Sequence, residues 1–274
     1  MTASLLALGV DPSKVVLFRQ SAVPEHTQMA WHLSCISSYA ELEQLPCWRH
    51  KQVHNPDGHI ELSALTYSIL QAADVLLYRA THVPIGIDQW PNLKHARLLS
   101  HQFNERTDTD LLRAPQAIYT SSPCVYSLSN PGVKMSKSNP LPRSLIRLTD
   151  SPESISNFIR RALTDSIDGI SYSPNERPGT SNLLQLMGLL TGHNPFEVAK
   201  QYRDKQISAL KTDLAKALSL HLQPFQESFA TLRRNEDYLR IVLLQGAEKA
   251  RQEASSTLGA FQSQLGLAYP LRPI

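Results

Sequence analysis

The sequence predicts an α/β domain that is followed by an all-helical domain. Two short apolar runs, at residues 14–18 and 82–88, have the length and the flanking turn residues of buried strands. The segments around them have the dense apolar pattern of helices, and this alternation is typical of a parallel sheet. The later part of the chain has helical patterns as far as residue 265. We therefore expect an α/β domain at 1–148 and a helical domain at 149–274.

The composition is that of a globular protein with a mildly basic surface. Hydrophobic residues make up 42% and charged residues 19% of the 274 residues, and the formal net charge is +3. This charge permits an anionic partner without requiring one. Cys35, Cys47 and Cys124 are too widely spaced for a disulfide framework or a paired zinc motif, which favours a reducing compartment. No apolar run has the length of a membrane span, and the first nine residues do not resemble a targeting signal.

The first third of the chain contains several predicted elements. The opening residues "TASLLALGVDP" have the pattern of a helix end, with Gly9 as the C-cap and Pro12 as the stop. "KVVLF" at 14–18 follows as a short strand. Residues 25–45 have a helical pattern, and residues 48–59 form a polar loop.

The elements after this loop are better defined. A helix is predicted from Glu61 to Arg79, because apolar residues are dense and no Gly or Pro interrupts them. "HVPIGID" then predicts a strand and a turn, and "NLKHARLLSHQFNE" predicts the next helix. Residues 107–143 are rich in Pro, Ser and Thr. Ser151 or Asp150, which precede Glu153, provide the capping signal that begins the helical domain.

The helix between residues 61 and 79 carries an unusual polar stripe. One face is apolar, and the opposite face carries four polar residues spaced 4, 3 and 4 apart: Tyr67, Gln71, Asp74 and Tyr78. The stripe is either a solvent-facing surface or one wall of a small aromatic-lined pocket. A buried Asp74 carboxylate would need a partner, because an unpaired buried charge is costly, and a ligand N–H would provide one.

A second candidate site follows the strand "VPIGIDQ" at residues 83–89. Gly86 allows the backbone to approach a ligand closely, and Asp88 and Gln89 lie at the carboxyl end of the strand, where open α/β sheets bind ligands. The alternative is an ordinary strand-to-helix turn in which Asp88 is the N-cap of the next helix.

The third candidate is "KMSKS" at residues 134–138, between turn-forming residues. Two ammonium groups and two hydroxyls on a loop suit several phosphate oxygens in succession, and such a loop could close over a triphosphate. The alternative is a solvated basic loop.

Two weaker features concern metal and polyanion binding. His50, His54 and His59 lie near one another in sequence, but carboxylate or cysteine partners at metal-binding spacing are missing, so we predict no metal site. Basic residues of the second half could contact a polyanion or could be ordinary exposed helix charges: Arg160, Arg161, Lys205, Lys211, Arg233 and Arg234.

Taken together, "LTYSILQAADVLLYRATHVPIGIDQ" and "KMSKSNP" resemble the tryptophanyl-tRNA synthetases, which are class I aminoacyl-tRNA synthetases. The resemblance covers essentially the whole chain, including "TSNLLQLMGLLTG" and "QGAEKARQEAS". The stretch "PEHTQMAWHLSC" looks most like the mitochondrial members. The resemblance implies a Rossmann-like parallel sheet domain with a helical insertion and the KMSKS loop, followed by a helical domain that binds the anticodon end of tRNA.

The resemblance also implies roles for individual residues. Asp74 would accept the indole N–H of tryptophan. Residues implied to line or complete the amino-acid pocket are Tyr67, Gln71, Val83, Ile85 and Gln89. Residues implied to lie at the ATP site are Lys51, Gly86, Ile87, Asp88, Val125, Lys134, Met135, Ser136, Lys137 and Ser138. Lys134 and Lys137 would hold the phosphates during catalysis.

The implied reaction is the ATP-dependent activation of tryptophan, with Mg²⁺ assisting, and transfer of the aminoacyl group to tRNA(Trp). Catalysis would come mainly from positioning and charge stabilisation. The family resemblance further implies a homodimer in the mitochondrial matrix and no membrane association. The near neighbour is tyrosyl-tRNA synthetase, but Ala72 and Ala73 before Asp74 leave room for a bicyclic ring and favour tryptophan.

The sequence departs from the family pattern in two places. A strand with a "TGxxHxGN" loop, whose histidine and backbone amides bind ATP, is not found in the 274 residues, and Ile87 stands where the family usually has Glu. We therefore expect an incomplete parallel sheet, weakened adenylate formation and a poorly stable first domain. The alternatives are a non-catalytic tRNA- or partner-binding protein, or a chain that does not fold.

Overall fold

The protein forms two compact units, each assembled from two separate stretches of the chain. The computed structural model describes residues 1–46, 48–49, 52, 58, 60–119, 124–136 and 144–267. The helical unit comprises Met1–Val10 and Ser122–Glu236, and the sheet-containing unit comprises Asp11–Ser121 and Asp237–Ile274. The predicted domains at 1–148 and 149–274 divide the chain differently and remain a prediction.

Helices make up most of the described chain. In chain order the elements are α1 (Thr2–Ala7), α2 (Glu25–Ser34), α3 (Tyr39–Leu42), α4 (Leu62–Leu76), β1 (His82–Ile85), α5 (Trp90–Thr107), β2 (Gln116–Tyr119), α6 (Pro152–Arg160), α7 (Pro178–Thr191), α8 (Pro195–Gln201), α9 (Ile207–Arg234) and α10 (Glu236–Gln264). Among the described residues, no helix is both long and apolar enough to cross a membrane.

The sheet-containing unit is built on a β-α-β arrangement. Strands β1 and β2 are parallel, with His82 opposite Gln116 and Ile85 opposite Tyr119, and α5 connects them. The strand at 82–85, the helix after it and the parallel sheet are therefore confirmed. Strand β2 was not predicted, because its four residues lie in a segment dominated by turn-forming residues.

The core of this unit surrounds α4. Helix α4 packs against α2 and α5, and its residues Ile69, Ala72 and Leu76 are buried. The C-terminal helix α10 contributes Phe261, whose ring stacks on Phe103 of α5 with 4.0 Å between the ring centroids. The apolar face that the sequence predicts for α4 is thus the face that forms the core.

The helical unit has a separate core between α6, α7 and α9, and α1 packs against α9. Ser151 is the N-cap of α6 and its hydroxyl accepts a hydrogen bond from the Ser154 backbone N–H, so the predicted capping signal is confirmed at Ser151. Inside the unit, Arg177 is almost fully buried and pairs with the Asp165 carboxylate at 2.7 Å. The Thr180 hydroxyl donates to the same carboxylate.

The first helix ends as the sequence predicts. Helix α1 stops at Ala7, and Gly9 takes the left-handed conformation with φ of +94°. The Gly9 and Val10 backbone N–H groups donate to the carbonyl oxygens of Leu6 and Leu5. This pair of bonds is a Schellman motif, which glycine favours because it has no Cβ.

Two predicted elements are wrong. Residues 14–18 form no strand; Val15 and Val16 are half exposed, and the Lys14 and Val15 N–H groups turn back to the Asp11 carbonyl. A short apolar run becomes a strand only where another strand pairs with it, and β1 and β2 pair with each other. The single helix predicted at 25–45 is divided into α2 and α3 by a break at 35–38.

Candidate functional site

The Asp74 carboxylate lies near the end of α4 and is held by the side chains of Gln20 and His26, which come earlier in the chain. Gln20 Nε2 donates to Oδ1 at 2.7 Å and to Oδ2 at 2.9 Å. His26 Nδ1 lies 2.6 Å from Oδ1. The Asp74 side chain is 36% exposed, so the carboxylate is neither buried without partners nor fully in solvent. Its partners are protein donors, where the sequence alone had suggested a ligand.

His26 links Asp74 to an aromatic cluster. The His26 side chain is only 3% exposed, and its Nε2 lies 2.8 Å from the Tyr78 hydroxyl. Phe18 packs against both rings, with centroid distances of 5.9 Å to His26 and 5.7 Å to Tyr78. Burial, together with the negative charges of Asp74 and Glu25, raises the pKa of Tyr78 well above its ordinary value. The Tyr78 hydroxyl therefore stays protonated and can donate a hydrogen bond.

The residue before His26 joins this cluster to the C-terminal helix. Glu25 is buried, and its Oε1 accepts hydrogen bonds from Ser255 and Arg251 of α10 at 2.8 Å and 3.2 Å. Burial alone would raise the Glu25 pKa, but a backbone hydrogen bond, together with those from Ser255 and Arg251, outweighs burial and the pKa lies below the ordinary value. Helix α2 is thus fixed to α10 next to the residue that contacts Asp74.

Two other members of the predicted stripe have different surroundings. Tyr67 is 55% exposed. Gln71 lies one turn before Asp74, and its Oε1 is buried with no hydrogen-bond partner among the described residues. A buried amide oxygen without a donor is unfavourable, so this atom is available to a ligand N–H.

The carboxyl end of β1 holds the second predicted group. Val83 and Ile85 are half-buried, and Gly86, Ile87 and Asp88 are exposed. Asp88 lies in a one-turn 3-10 helix, and Gln89 occupies the N-cap position of α5, so the alternative in which Asp88 caps this helix is wrong. Gln89 Nε2 donates to Asp88 Oδ2 at 2.9 Å, which brings two of the predicted ligand-binding side chains together.

The KMSKS segment begins beside Val125, another residue of the helical unit that is predicted to lie at the ATP site. The Met135 N–H donates to the Val125 carbonyl at 2.9 Å, and the Ser127 N–H donates to the Val133 carbonyl. Tyr126 and Lys134 form an isolated antiparallel bridge. The structure therefore brings Val125 together with Lys134 and Met135, although nine residues separate them in sequence.

Asn182 of α7 anchors this segment, and the sequence analysis missed it. Asn182 is 4% exposed; its Oδ1 accepts from the Tyr126 N–H at 3.2 Å and its Nδ2 donates to the Tyr126 carbonyl at 3.0 Å. A side-chain amide that satisfies both backbone groups of one residue fixes that residue firmly. The available signal was an amide at the start of the apolar helix "TSNLLQLMGLLTG".

Several predicted residues lie outside the described part of the chain: His50, Lys51, His54, His59, Lys137 and Ser138. Within the described part, no group of three or more His, Cys, Asp or Glu side chains could hold a metal ion.

Lys211 is largely structural, because its Nζ donates to the carbonyls of Arg160 and Ala162, and burial lowers its pKa. The side chains of Arg160, Arg161, Arg233 and Arg234 are exposed.

Comparison with known proteins identifies the family. A sequence profile described as tRNA synthetases class I (W and Y) matches residues 1–223. Tryptophan–tRNA ligase 2 of Streptomyces avermitilis is 36% identical over 264 residues, covering 96% of this chain and 78% of that protein. The chain belongs to the tryptophanyl-tRNA synthetase family. Its members are class I aminoacyl-tRNA synthetases, which are ligases.

Further members of this family that are similar to the chain include a mitochondrial enzyme and a protein whose crystal structure is known. The mitochondrial tryptophan–tRNA ligase of Schizosaccharomyces pombe is 35% identical and covers 98% of this chain and 78% of the relative. The crystal structure of the Mycoplasma pneumoniae tryptophanyl-tRNA synthetase has a TM-score of 0.86 and 29% identity, and covers 97% of this chain and 81% of that one. The predicted fold class, a small Rossmann-like parallel sheet with a large helical part, is therefore confirmed.

Proposed function

We propose that this chain is a tryptophan–tRNA ligase, which activates tryptophan with ATP and transfers it to tRNA(Trp). One observation carries the proposal: a fixed carboxylate, Asp74, lies on the apolar helix α4 with an exposed edge and an oxygen that can accept a further hydrogen bond. An indole offers one N–H donor and no acceptor, which complements such a site.

The tryptophan side of the proposed site lies in the sheet-containing unit. Asp74 accepts the indole N–H, and the pocket is completed by side chains from α4 and β1: Tyr67, Gln71, Val83 and Ile85. Gln89 holds the polar end of the amino acid. A pocket that uses a hydrogen bond to identify its substrate rejects analogues that lack the donor by large factors.

Residues proposed to bind ATP occur in each unit, and each set is considered by itself. Gly86, Ile87, Asp88 and Val125 are proposed to contact the nucleoside, and Lys51, Lys134, Met135, Ser136, Lys137 and Ser138 the phosphates. A tryptophan carboxylate oxygen attacks the α-phosphorus, the bond to the bridging oxygen breaks, and pyrophosphate leaves with the negative charge. The two KMSKS lysines stabilise that charge. ATP enters as its Mg²⁺ complex, in which phosphate oxygens provide much of the coordination.

The proposal extends to the partners and the compartment. The 3′-terminal ribose hydroxyl of tRNA(Trp) takes the aminoacyl group, and the exposed arginines of the helical unit contact the polyanion. We propose a homodimer in the mitochondrial matrix. The mitochondrial ligases of Schizosaccharomyces pombe and Dictyostelium discoideum, each 35% identical, support this compartment, and the Streptomyces avermitilis enzyme at 36% is equally close.

The direct test is exchange of labelled pyrophosphate into ATP by the purified chain. The proposal predicts exchange that depends on tryptophan and is not supported by tyrosine. A second candidate function, tRNA binding without catalysis, is favoured by the exposed arginines of the helical unit. It predicts binding of tRNA(Trp) in a gel-shift titration and no exchange with either amino acid. Exchange with tyrosine alone would contradict the substrate assignment.

A further inference from the structure

Asp74 has an unequal distribution of hydrogen bonds between its two carboxylate oxygens. Oδ1 lies within hydrogen-bond distance of both Gln20 Nε2 and His26 Nδ1, whereas among the described residues Oδ2 has a hydrogen bond only from Gln20 Nε2. Each carboxylate oxygen can accept about two hydrogen bonds. The two protein donors therefore fill Oδ1 and leave one acceptor position on Oδ2.

The geometry points to Gln20 and His26 as positioning residues that aim the open acceptor of Asp74 at the indole N–H of the substrate. This inference rests on the proposed function. Rotation about the last bond of an aspartate side chain is soft, so a carboxylate held at one point could turn. Gln20 bridges both oxygens and His26 holds Oδ1 from a second direction, which fixes both the plane of the carboxylate and the oxygen that remains open.

The protonation pattern of His26 follows from its neighbours. The ionised Asp74 carboxylate can only accept, so Nδ1 of His26 carries the proton that faces it. In the neutral ring Nε2 accepts from the Tyr78 hydroxyl, which remains protonated. The chain from Tyr78 through His26 to Asp74 therefore has one direction, and each ring also packs against Phe18.

The consequence is a specificity role that is separate from general stability. If the carboxylate turns or moves, the pocket still accepts a bicyclic ring, but it loses its ability to detect the N–H. β-(3-Benzothienyl)alanine has nearly the shape of tryptophan and carries sulfur where tryptophan has the N–H group. The ratio of its dissociation constant to that of tryptophan reports on the hydrogen bond alone, and a merely structural defect would weaken both ligands equally.

The test is calorimetric titration of both amino acids into the purified full chain and its variants. Gln20→Leu removes the donor at an exposed position where folding is not at risk. His26→Leu removes the buried donor, and His26→Asn keeps an N–H close to the position of Nδ1. The matched control is Gln28→Leu, an exposed glutamine of α2 outside the network.

We expect Gln20→Leu and His26→Leu to reduce the preference for tryptophan about tenfold each, the effect of losing one hydrogen bond to a charged group. His26→Asn should restore most of the preference, and Gln28→Leu should leave it unchanged. The inference would be overturned if Gln20→Leu kept the wild-type preference for tryptophan over β-(3-benzothienyl)alanine. It would also be overturned if the variant weakened the binding of both amino acids equally. A wild-type chain that shows no preference for tryptophan would overturn the proposed function itself and the inference with it.

Discussion

Asp74 is the residue on which the substrate assignment depends. Its carboxylate is oriented by Gln20 and His26, remains partly exposed and keeps one acceptor open. A carboxylate is the appropriate group for an indole, because it accepts a hydrogen bond from the N–H and offers no donor that would compete. The neighbouring Gln71 adds a buried acceptor, its Oε1, which has no partner in the described chain.

Replacement of Asp74 tests this assignment with the least disturbance of the fold. We expect Asp74→Ala to raise the dissociation constant for tryptophan about 100-fold or more, because the substrate N–H then loses a charged acceptor. Circular dichroism should show little change, since the side chain lies at the edge of the core. Asp110→Ala, at an exposed carboxylate of the same unit, is the control. Unchanged tryptophan affinity in Asp74→Ala would defeat the pocket assignment.

The ion pair of buried Arg177 and partly exposed Asp165 predicts a pH dependence of stability in the helical unit. Burial would raise the Asp165 pKa, but hydrogen bonds from Arg177 and Thr180 outweigh it, so the pKa lies below its ordinary value of 3.8. Because the folded-state pKa is depressed, the stabilisation is present above the unfolded value and is lost as the pH falls through the folded pKa.

Guanidinium unfolding between pH 7 and pH 3 should therefore show a fall in the free energy of unfolding at the acid end that is smaller in Asp165→Asn. At neutral pH, Asp165→Asn should cost about 3 kcal/mol, because it leaves Arg177 buried without its counter-ion. Asp168→Asn, at a nearby exposed carboxylate, should keep the wild-type profile. A parallel acid response in wild type and Asp165→Asn would show that the pair does not set this dependence.

At the scale of elements, helix α10 completes the sheet-containing unit from the far end of the chain. It provides Phe261 to the core and the partners of Glu25, and at Gly246 it lies directly against the backbone of Leu17. A Cβ at Gly246 would overlap with the Leu17 carbonyl oxygen. The helix can therefore approach that segment only because residue 246 has no side chain.

Gly246→Ala should destabilise the protein by about 2 kcal/mol or more, because the new methyl group forces backbone apart in a packed contact. Gly259→Ala on the same helix is the matched control, since no atom of the described residues, apart from the helix's own nearby backbone, lies within 4 Å of the added Cβ. It should be neutral or stabilising by about 0.5–1 kcal/mol through helix propensity. Differential scanning calorimetry measures both, and equal unfolding temperatures for the two variants would contradict the close contact.

Helix α7 fixes the start of the KMSKS segment through Asn182. Asn182→Ala removes both hydrogen bonds to the Tyr126 backbone, and Tyr126 bridges Lys134. We expect the KM for ATP in pyrophosphate exchange to rise about tenfold, while the dissociation constant for tryptophan stays the same. Asn175→Ala, at an exposed position, should change neither constant. A change in tryptophan affinity without a change in the KM for ATP would contradict this role.

At the scale of the whole molecule, the sequence was informative where its patterns are local. Helix α4, strand β1, helix α5 and the end of α1 were predicted, because apolar spacing and Gly or Pro punctuation determine them within one segment. The break at 35–38 has a local signal that was missed, which is the capping box of Ser38 and Glu41. The missing strand at 14–18 was not predicted, since strand pairing depends on distant partners. The order of motifs was enough to indicate the family.

Dependence on partners that are distant in sequence also explains which residues of the candidate site were not predicted. Asp74 stood out as a carboxylate in an apolar helix, but Gln20 and His26 lie 54 and 48 residues before it and have no local pattern that connects them. Asn182 lies 56 residues after Tyr126 and was equally hidden. Only the packing of α2 against α4, and of α7 beside the KMSKS segment, brings these residues to their partners.

The contact between Asp74 and the indole N–H can be observed in a crystal structure of the chain with bound tryptophan. We expect the indole nitrogen at about 2.7–3.2 Å from Asp74 Oδ2, with the hydrogen bonds from Gln20 and His26 preserved. Tryptophan bound elsewhere, or bound with its ring nitrogen beyond hydrogen-bond distance of that carboxylate, would contradict it.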